Sequence, residues 1–132
     1  MMGLLLERRG SASVARPGED IDAANAAHVG AQLSASIAPD VDRLVVDLSE
    51  VRYVDSAGLD MLFRLNERLR QRRAVLLVAI PPSSPLRRLA RLVGLPDAMP
   101  VHDSVDAAIE ASAPGRAAAA DTVVTETAEN GA

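Results

Sequence analysis

Apolar positions change their period along this chain, and each change marks an element. Ala26, Val29, Leu33 and Ile37 recur at helical spacing and predict a helix from Ala23 to about Ile37. Asp22 stands ready to cap that helix, and Pro39-Asp40 ends it. Leu44–Leu48 is an almost continuous apolar run broken by Asp47, the pattern of a strand covered on both faces. From Ser56 or Ala57 to about Arg73 the helical period returns, with Leu59, Leu62, Phe63, Asn66 and Leu69 on the inward side. Ala74–Ile80 is the most hydrophobic run; it predicts a central parallel strand, stopped by Pro81-Pro82. Ser84 or Pro85 then opens a helix with Leu86, Leu89, Ala90 and Val93 inward and Gly94 as its C-terminal cap. Val101 is a brief strand, and Asp103 or Ser104 caps a last helix reaching about Ala111. At the N-terminus, Leu4–Leu6 and Ser11–Ala15 form a short, weakly specified hairpin around Arg9-Gly10, and Pro17-Gly18 breaks the chain after it.

Strands that alternate with helices make an α/β domain with right-handed crossovers. The pattern predicts one domain over residues 1–113, with a mixed, mostly parallel sheet of four to five strands and about four helices. Beyond Pro114, Ala and Thr dominate without periodicity, and residues 114–132 read as a disordered acidic tail. No internal repeat is present.

Composition narrows the function classes. Apolar residues make up 48% of the chain, mostly Ala, Val and Leu, with one Tyr, one Phe and no Trp. Base stacking on aromatic rings therefore has no support. All 14 basic residues are Arg, which with the abundance of Ala suggests a GC-rich bacterial coding sequence. The net charge is −4, but residues 117–132 hold three acids and no base, leaving 14 bases against 15 acids in the rest. Charge thus makes no case for nucleic acid or an anionic membrane as partner. The absence of Cys excludes disulfides, thiolate metal sites and a thiol nucleophile. No apolar run approaches the roughly 18 residues of a membrane span. Leu4–Leu6 before Glu7-Arg8-Arg9 is too short for a signal peptide, so a cytoplasmic location is the expectation.

Asp55-Ser56-Ala57-Gly58-Leu59 is the most informative stretch: a buried strand ends, a short loop follows, and a hydroxyl stands where an amphipathic helix begins. Ser56 can be a helix N-cap, a phosphoacceptor, or both, because amides at a helix N-terminus accommodate an anion. Gly58, without a side chain, would let another protein's active site come close. A nucleophilic serine needs a base held by a third group. His28 and His102 have no such spacing and Gly-x-Ser-x-Gly is absent, so the chain reads as acted upon rather than as an enzyme. No ligand cluster suggests a metal, and no cofactor is implied. Asp20, Asp22 and Asp55 can converge at one end of the sheet, with Asn25 beside them, either as turn and cap residues or as shapers of the acceptor loop. Met61 and Leu65 form a second apolar strip on the Ser56 helix, either buried or facing a partner. The candidate partner surface is thus Asp20, Asp22, Asn25, Asp55, Ala57, Gly58, Leu59, Met61 and Leu65. The Arg68, Arg70, Arg72 and Arg73 cluster reads as a solvated helix end that complements the dipole.

Val45–Leu62 resembles the core of STAS domains, shared by anti-sigma factor antagonists and the tails of sulphate transporters. Gly18-Glu19-Asp20-Ile21-Asp22-Ala23-Ala24-Asn25 is similar to that family's Gly-Glu-Leu-Asp segment, though one residue longer. Pro85–Leu95 and Val101–Ala108 resemble its late helix and its closing strand and helix. The four blocks cover about residues 12–112. The resemblance implies a STAS-type α/β fold and an anti-anti-sigma factor. Such a protein binds an anti-sigma factor that is itself a serine kinase, and thereby frees a sigma factor. It is switched off by phosphorylation at the position of Ser56 and reset by a phosphatase. The same resemblance admits a non-enzymatic accessory subunit of a lipid or solute transport complex, in which the Ser56 helix is a permanent docking face.

Overall fold

A glycine at φ 61° turns the chain between its first two strands. In the computed structural model, which describes residues 3–112, β1 (Leu4–Arg9) and β2 (Ala12–Pro17) pair antiparallel from Leu4 opposite Pro17 to Arg9 opposite Ala12. This hairpin is longer and better anchored than its sequence suggests. Ala12, Ser13, Val14 and Ala15 are all buried, because β2 is an interior strand whose small side chains pack on both faces while giving only a weak hydrophobic signal. Arg8 of β1 donates to Asp40, and this hydrogen bond holds the Asp40 carboxyl below the ordinary carboxylate range. The pair contributes stability above the ordinary carboxylate pKa and loses it as the pH falls through the lowered value.

The chain continues through α1 (Ala26–Ala35), β3 (Arg43–Asp47), α2 (Ser56–Gln71), β4 (Val75–Ala79), α3 (Leu86–Leu92), α4 (Leu95–Ala98), β5 (Val101–His102) and α5 (Val105–Ser112). The strands lie in the order β1-β2-β3-β4-β5, parallel throughout except for β1. On one face Leu44, Val46, Leu76 and Val78 form the main core with Val29 and Leu33 of α1, Leu62 and Leu69 of α2, and Leu86 and Ala90 of α3. On the other, Val14, Val45, Leu77 and Ala79 pack against Ala108 of α5, with Val105 and Ile109 beside it. This double coverage is why β3 and β4 read as unbroken apolar runs.

The inward face of α2 differs from the expected one. Gly58, Met61, Leu62, Leu65 and Leu69 are buried, whereas Leu59 and Phe63 are half-buried at the core margin. The helix packs on α1 as well as on β4, and the Met61–Leu65 strip supplies the α1 contact. Gly30 makes room for it: a Cβ there would stand 2.8 Å from Met61 Cγ. The short α4 was not foreseen. Gly94, at φ 71°, reverses the chain after α3, and Leu95 and Met99 then plug the core from either end of this single turn.

Arg43 is a buried cation at the foot of β3. Its guanidinium donates to Ser11 Oγ (3.1 Å), Ser112 Oγ (3.4 Å) and the Ile109 carbonyl (3.5 Å), beside Asp42, and so fastens the end of α5 to the sheet. The expected tail at residues 114–132 lies outside the described residues. Because Leu76 is fully buried in the interior strand β4, Leu76→Ala is expected to destabilise the fold by about 2–5 kcal/mol. A urea midpoint unchanged from that of the parent chain would contradict this packing.

Candidate functional site

The loops after β2 and β3 are zipped together beyond the carboxyl end of the sheet. Ile21 and Val54 form a parallel bridge, with Ile21 N–H donating to the Tyr53 carbonyl and Asp55 N–H to the Ile21 carbonyl, both at 3.1 Å. Asp20 Oδ1 accepts from the amides of Arg52 (2.8 Å) and Tyr53 (3.3 Å). Asn25 accepts from the Asp22 amide (2.9 Å) and donates to the Asp20 carbonyl (2.8 Å), while Asp22 Oδ1 accepts from Ala24 N–H (2.9 Å). The three acids and the asparagine do converge, and their bonds show turn and bridge chemistry that fixes one loop against the other.

Asp55, not Ser56, is the N-cap of α2. In extended conformation (φ −89°, ψ −173°) it accepts the Gly58 amide on Oδ1 and the Ala23 amide on Oδ2, each at 3.0 Å. Ser56 is therefore the first helical residue, with an exposed hydroxyl that makes no hydrogen bond to any described residue. Its amide and that of Ala57 are the free donors that a helix start leaves over. Asp60, one turn along, is held by Arg64 at 2.6 Å. No described cation forms an ion pair with Asp20, Asp22 or Asp55. His28 is exposed on α1, and His102 lies on β5, where its carbonyl accepts from Ile80 N–H. Among the described residues no group of three His, Cys, Asp or Glu side chains is placed to hold a metal. No described helix is long and apolar enough to cross a membrane.

Two expectations need correction. Gly58 does not clear the way for a partner. It is buried, and a Cβ there would stand 2.6 Å from Val54 Cγ1 and 2.9 Å from Ile21 Cγ2, so its bareness lets α2 start directly against the zipped loops. Met61 and Leu65, at 9% and 4% exposure, are not an exposed docking strip but the packing surface toward α1. Ala57 and Leu59 are half-buried against the main core. One residue escaped the sequence reading: Tyr53, the chain's single tyrosine, is 55% exposed in the same loop as Ser56. An aromatic between Arg52 and Val54 in a loop leading to a candidate acceptor was the available signal.

The STAS domain profile matches residues 4–108. The chain belongs to the STAS domain family. Among solved structures it is similar to an anti-sigma factor antagonist from Mycobacterium paratuberculosis, at 28% identity and a TM-score of 0.70 over 84% of this chain and 93% of that one. The unphosphorylated form of the anti-sigma factor antagonist SpoIIAA shares the fold at 15% identity and a TM-score of 0.59, over 79% and 91% of the two chains. A sulfate transporter family protein from Wolinella succinogenes does so at 18% identity and 0.67, over 79% and 86%. Among curated proteins none matches the chain.

The contrast between neighbouring positions can be measured. Gly58→Ala is expected to destabilise this STAS domain by about 1–3 kcal/mol through overpacking against Ile21 and Val54. Ser56→Ala is expected to stay within about 0.5 kcal/mol of the parent, as an exposed side chain without partners should. Equal urea midpoints for the two variants would refute the packing described for Gly58.

Proposed function

We propose that this STAS domain is an anti-sigma factor antagonist whose binding to an anti-sigma serine kinase is switched off by phosphorylation of Ser56 and restored by a phosphatase. The observation that carries this reading is the division of labour at the start of α2. Asp55 performs the capping, so Ser56 is left exposed, without partners and dispensable to the fold. Asp20, Asp22, Asn25 and Asp55 hold the loop that presents it, and Ala57, Leu59 and the Tyr53 ring supply contact surface around it. The likeness to the mycobacterial anti-sigma factor antagonist supports the same reading.

The chemistry of the switch follows from the surroundings of the hydroxyl. A phosphoserine carries close to two negative charges. At a helix N-terminus these are tolerated, with a favourable contribution of about 0.3–1 kcal/mol. The Asp60 carboxylate stands one turn away, already paired with Arg64. The modification therefore changes the surface and leaves the fold as it was. For phosphoryl transfer, the hydroxyl must face the γ-phosphate of the kinase's nucleotide. A phosphoserine in that position meets like charge in a desolvated interface, at a cost of several kcal/mol. About 2.8 kcal/mol already lowers affinity roughly 100-fold, enough to hand the kinase back to its sigma factor.

The test uses the purified kinase-type anti-sigma factor of the same organism and calorimetric titration with the parent chain, Ser56→Ala and Ser56→Asp. Parent and Ser56→Ala are expected to bind alike and Ser56→Asp at least about 100-fold more weakly. With ATP, the parent alone should gain phosphate. Binding by all three, or by none of them alongside retention of a transport permease in pull-downs, would replace this reading with the transporter-subunit one.

A further inference from the structure

The two edges of the sheet are unequal. At one, β5 has two residues; at the other, β1 runs for six. Gly18 N–H donates to the Gly3 carbonyl, so Gly3 faces β2, and the alternation of an antiparallel ladder turns Leu5, Glu7 and Arg9 the same way. Pro17, which has no N–H to give, accordingly stands opposite Leu4. The peptide groups of Leu4, Leu6 and Arg8 therefore point out of the sheet, and no described residue outside the ladder bonds to them. Beside these open groups Leu5 and Leu6 are 59% and 57% exposed, and strand alternation sets one on each face of the sheet.

Edge strands are commonly kept single by free charges. The charges of β1 are instead compensated within the chain: Arg8 pairs with Asp40, and Arg9 with Glu7 and Asp106. The strand is also complementary to itself. Two copies related by a two-fold axis normal to the sheet run antiparallel and keep their faces, so even residues meet even ones and odd residues odd ones. Centring the pair on Glu7 or on Arg8 sets like charges opposite each other, which destabilises it. Centring it on Leu5 places Arg8 past the end of the facing β1. Centred on Leu6, the pair sets Leu6 against Leu6 and Leu4 against Arg8, and every outward N–H and C=O of the strand finds a partner. Arg9 then lies opposite Gly3, where nothing stands within 4 Å of a modelling-free Cβ position.

We propose that β1 pairs with β1 of a second copy of this chain, antiparallel about Leu6, to form a two-fold dimer with one sheet continuous across both copies. The assembly closes on itself, because the edges it leaves are the two-residue β5 strands, too short to extend it. One strand pair with Leu5 and Leu6 from each copy falls in the class of small interfaces, below about 1,200 Å², so dimer and single chain exchange with concentration. The axis normal to the sheet puts the α2 helices of both copies on the same face, with their Ser56 ends pointing in opposite directions. Both Ser56 hydroxyls stay open, and one dimer presents them to two separate partners.

Sedimentation velocity on the full chain is expected to rise from one-chain to two-chain mass between micromolar and millimolar concentration. Leu6→Lys and Leu6→Glu each set like charges opposite each other, and each alone should stay at one-chain mass with the urea midpoint of the dilute parent. An equal mixture of the two should regain the two-chain mass, because Lys then faces Glu. The absence of cysteine lets single cysteines report the register. Leu6→Cys is expected to cross-link to itself on mild oxidation, and Leu4→Cys to cross-link to Arg8→Cys, since residues facing each other across an antiparallel pair lie within disulfide reach. A parent chain that stays single at millimolar concentration would overturn the proposal. So would a dimer that survives Leu6→Lys, or self-linking of Glu7→Cys in preference to Leu6→Cys.

Discussion

Both oxygens of the Asp55 carboxylate are engaged, one with the start of α2 and one with the lead into α1. Two loops that leave neighbouring strands, 32 residues apart in sequence, are thereby held as one surface. The Ile21–Val54 bridge lies beneath and the Asp20 carboxylate closes the far side on the amides of Arg52 and Tyr53. In these loops side-chain carboxylates give backbone amides the partners that a regular ladder cannot. With that arrangement in place, the position of Ser56 is set by others and its own hydroxyl is left unconstrained.

The sheet beneath is unevenly covered. The α1, α2 and α3 helices lie on one face, and α5 with its alanine and two half-buried aliphatics lies on the other. A single eight-residue helix offers limited apolar area, and the buried guanidinium of Arg43 adds polar attachment at its C-terminal end. A hydrogen bond to a charged group contributes more than a neutral one, about 1.5–3 kcal/mol. At the other end, Arg9 of the hairpin reaches Asp106 in the first turn of the same helix.

What could be read from the sequence depended on how local each signal was. The β3 and β4 strands were legible because double coverage removes alternation and leaves an unbroken apolar run. The start of α2 was legible because Asp55 and Ser56 both suit a cap. Which of them caps was not, since the choice rests on the Ala23 amide contributed by a distant loop. The two apolar strips of α2 were visible, but periodicity does not say which neighbour each one meets. Only the approach of α1 at Gly30 decides that Met61 is buried. Gly58 was recognised as special for the wrong reason, because a missing side chain looks the same in sequence whether it admits a partner or a neighbouring loop. The single turn of α4 is too short to carry a period at all.

The covering of the second sheet face has a consequence for the order of synthesis. Val14, Val45, Leu77 and Ala79 belong to strands complete by residue 79, but the helix that shields them begins only at Val105. A nascent chain that has already assembled β1 to β4 on the ribosome shows water an apolar sheet surface, with Arg43 still lacking the Ile109 and Ser112 oxygens that later receive it. Such transiently exposed surfaces are where partly folded chains aggregate. Stalled translation before α5 should therefore do more harm to this domain than the small size of that helix suggests.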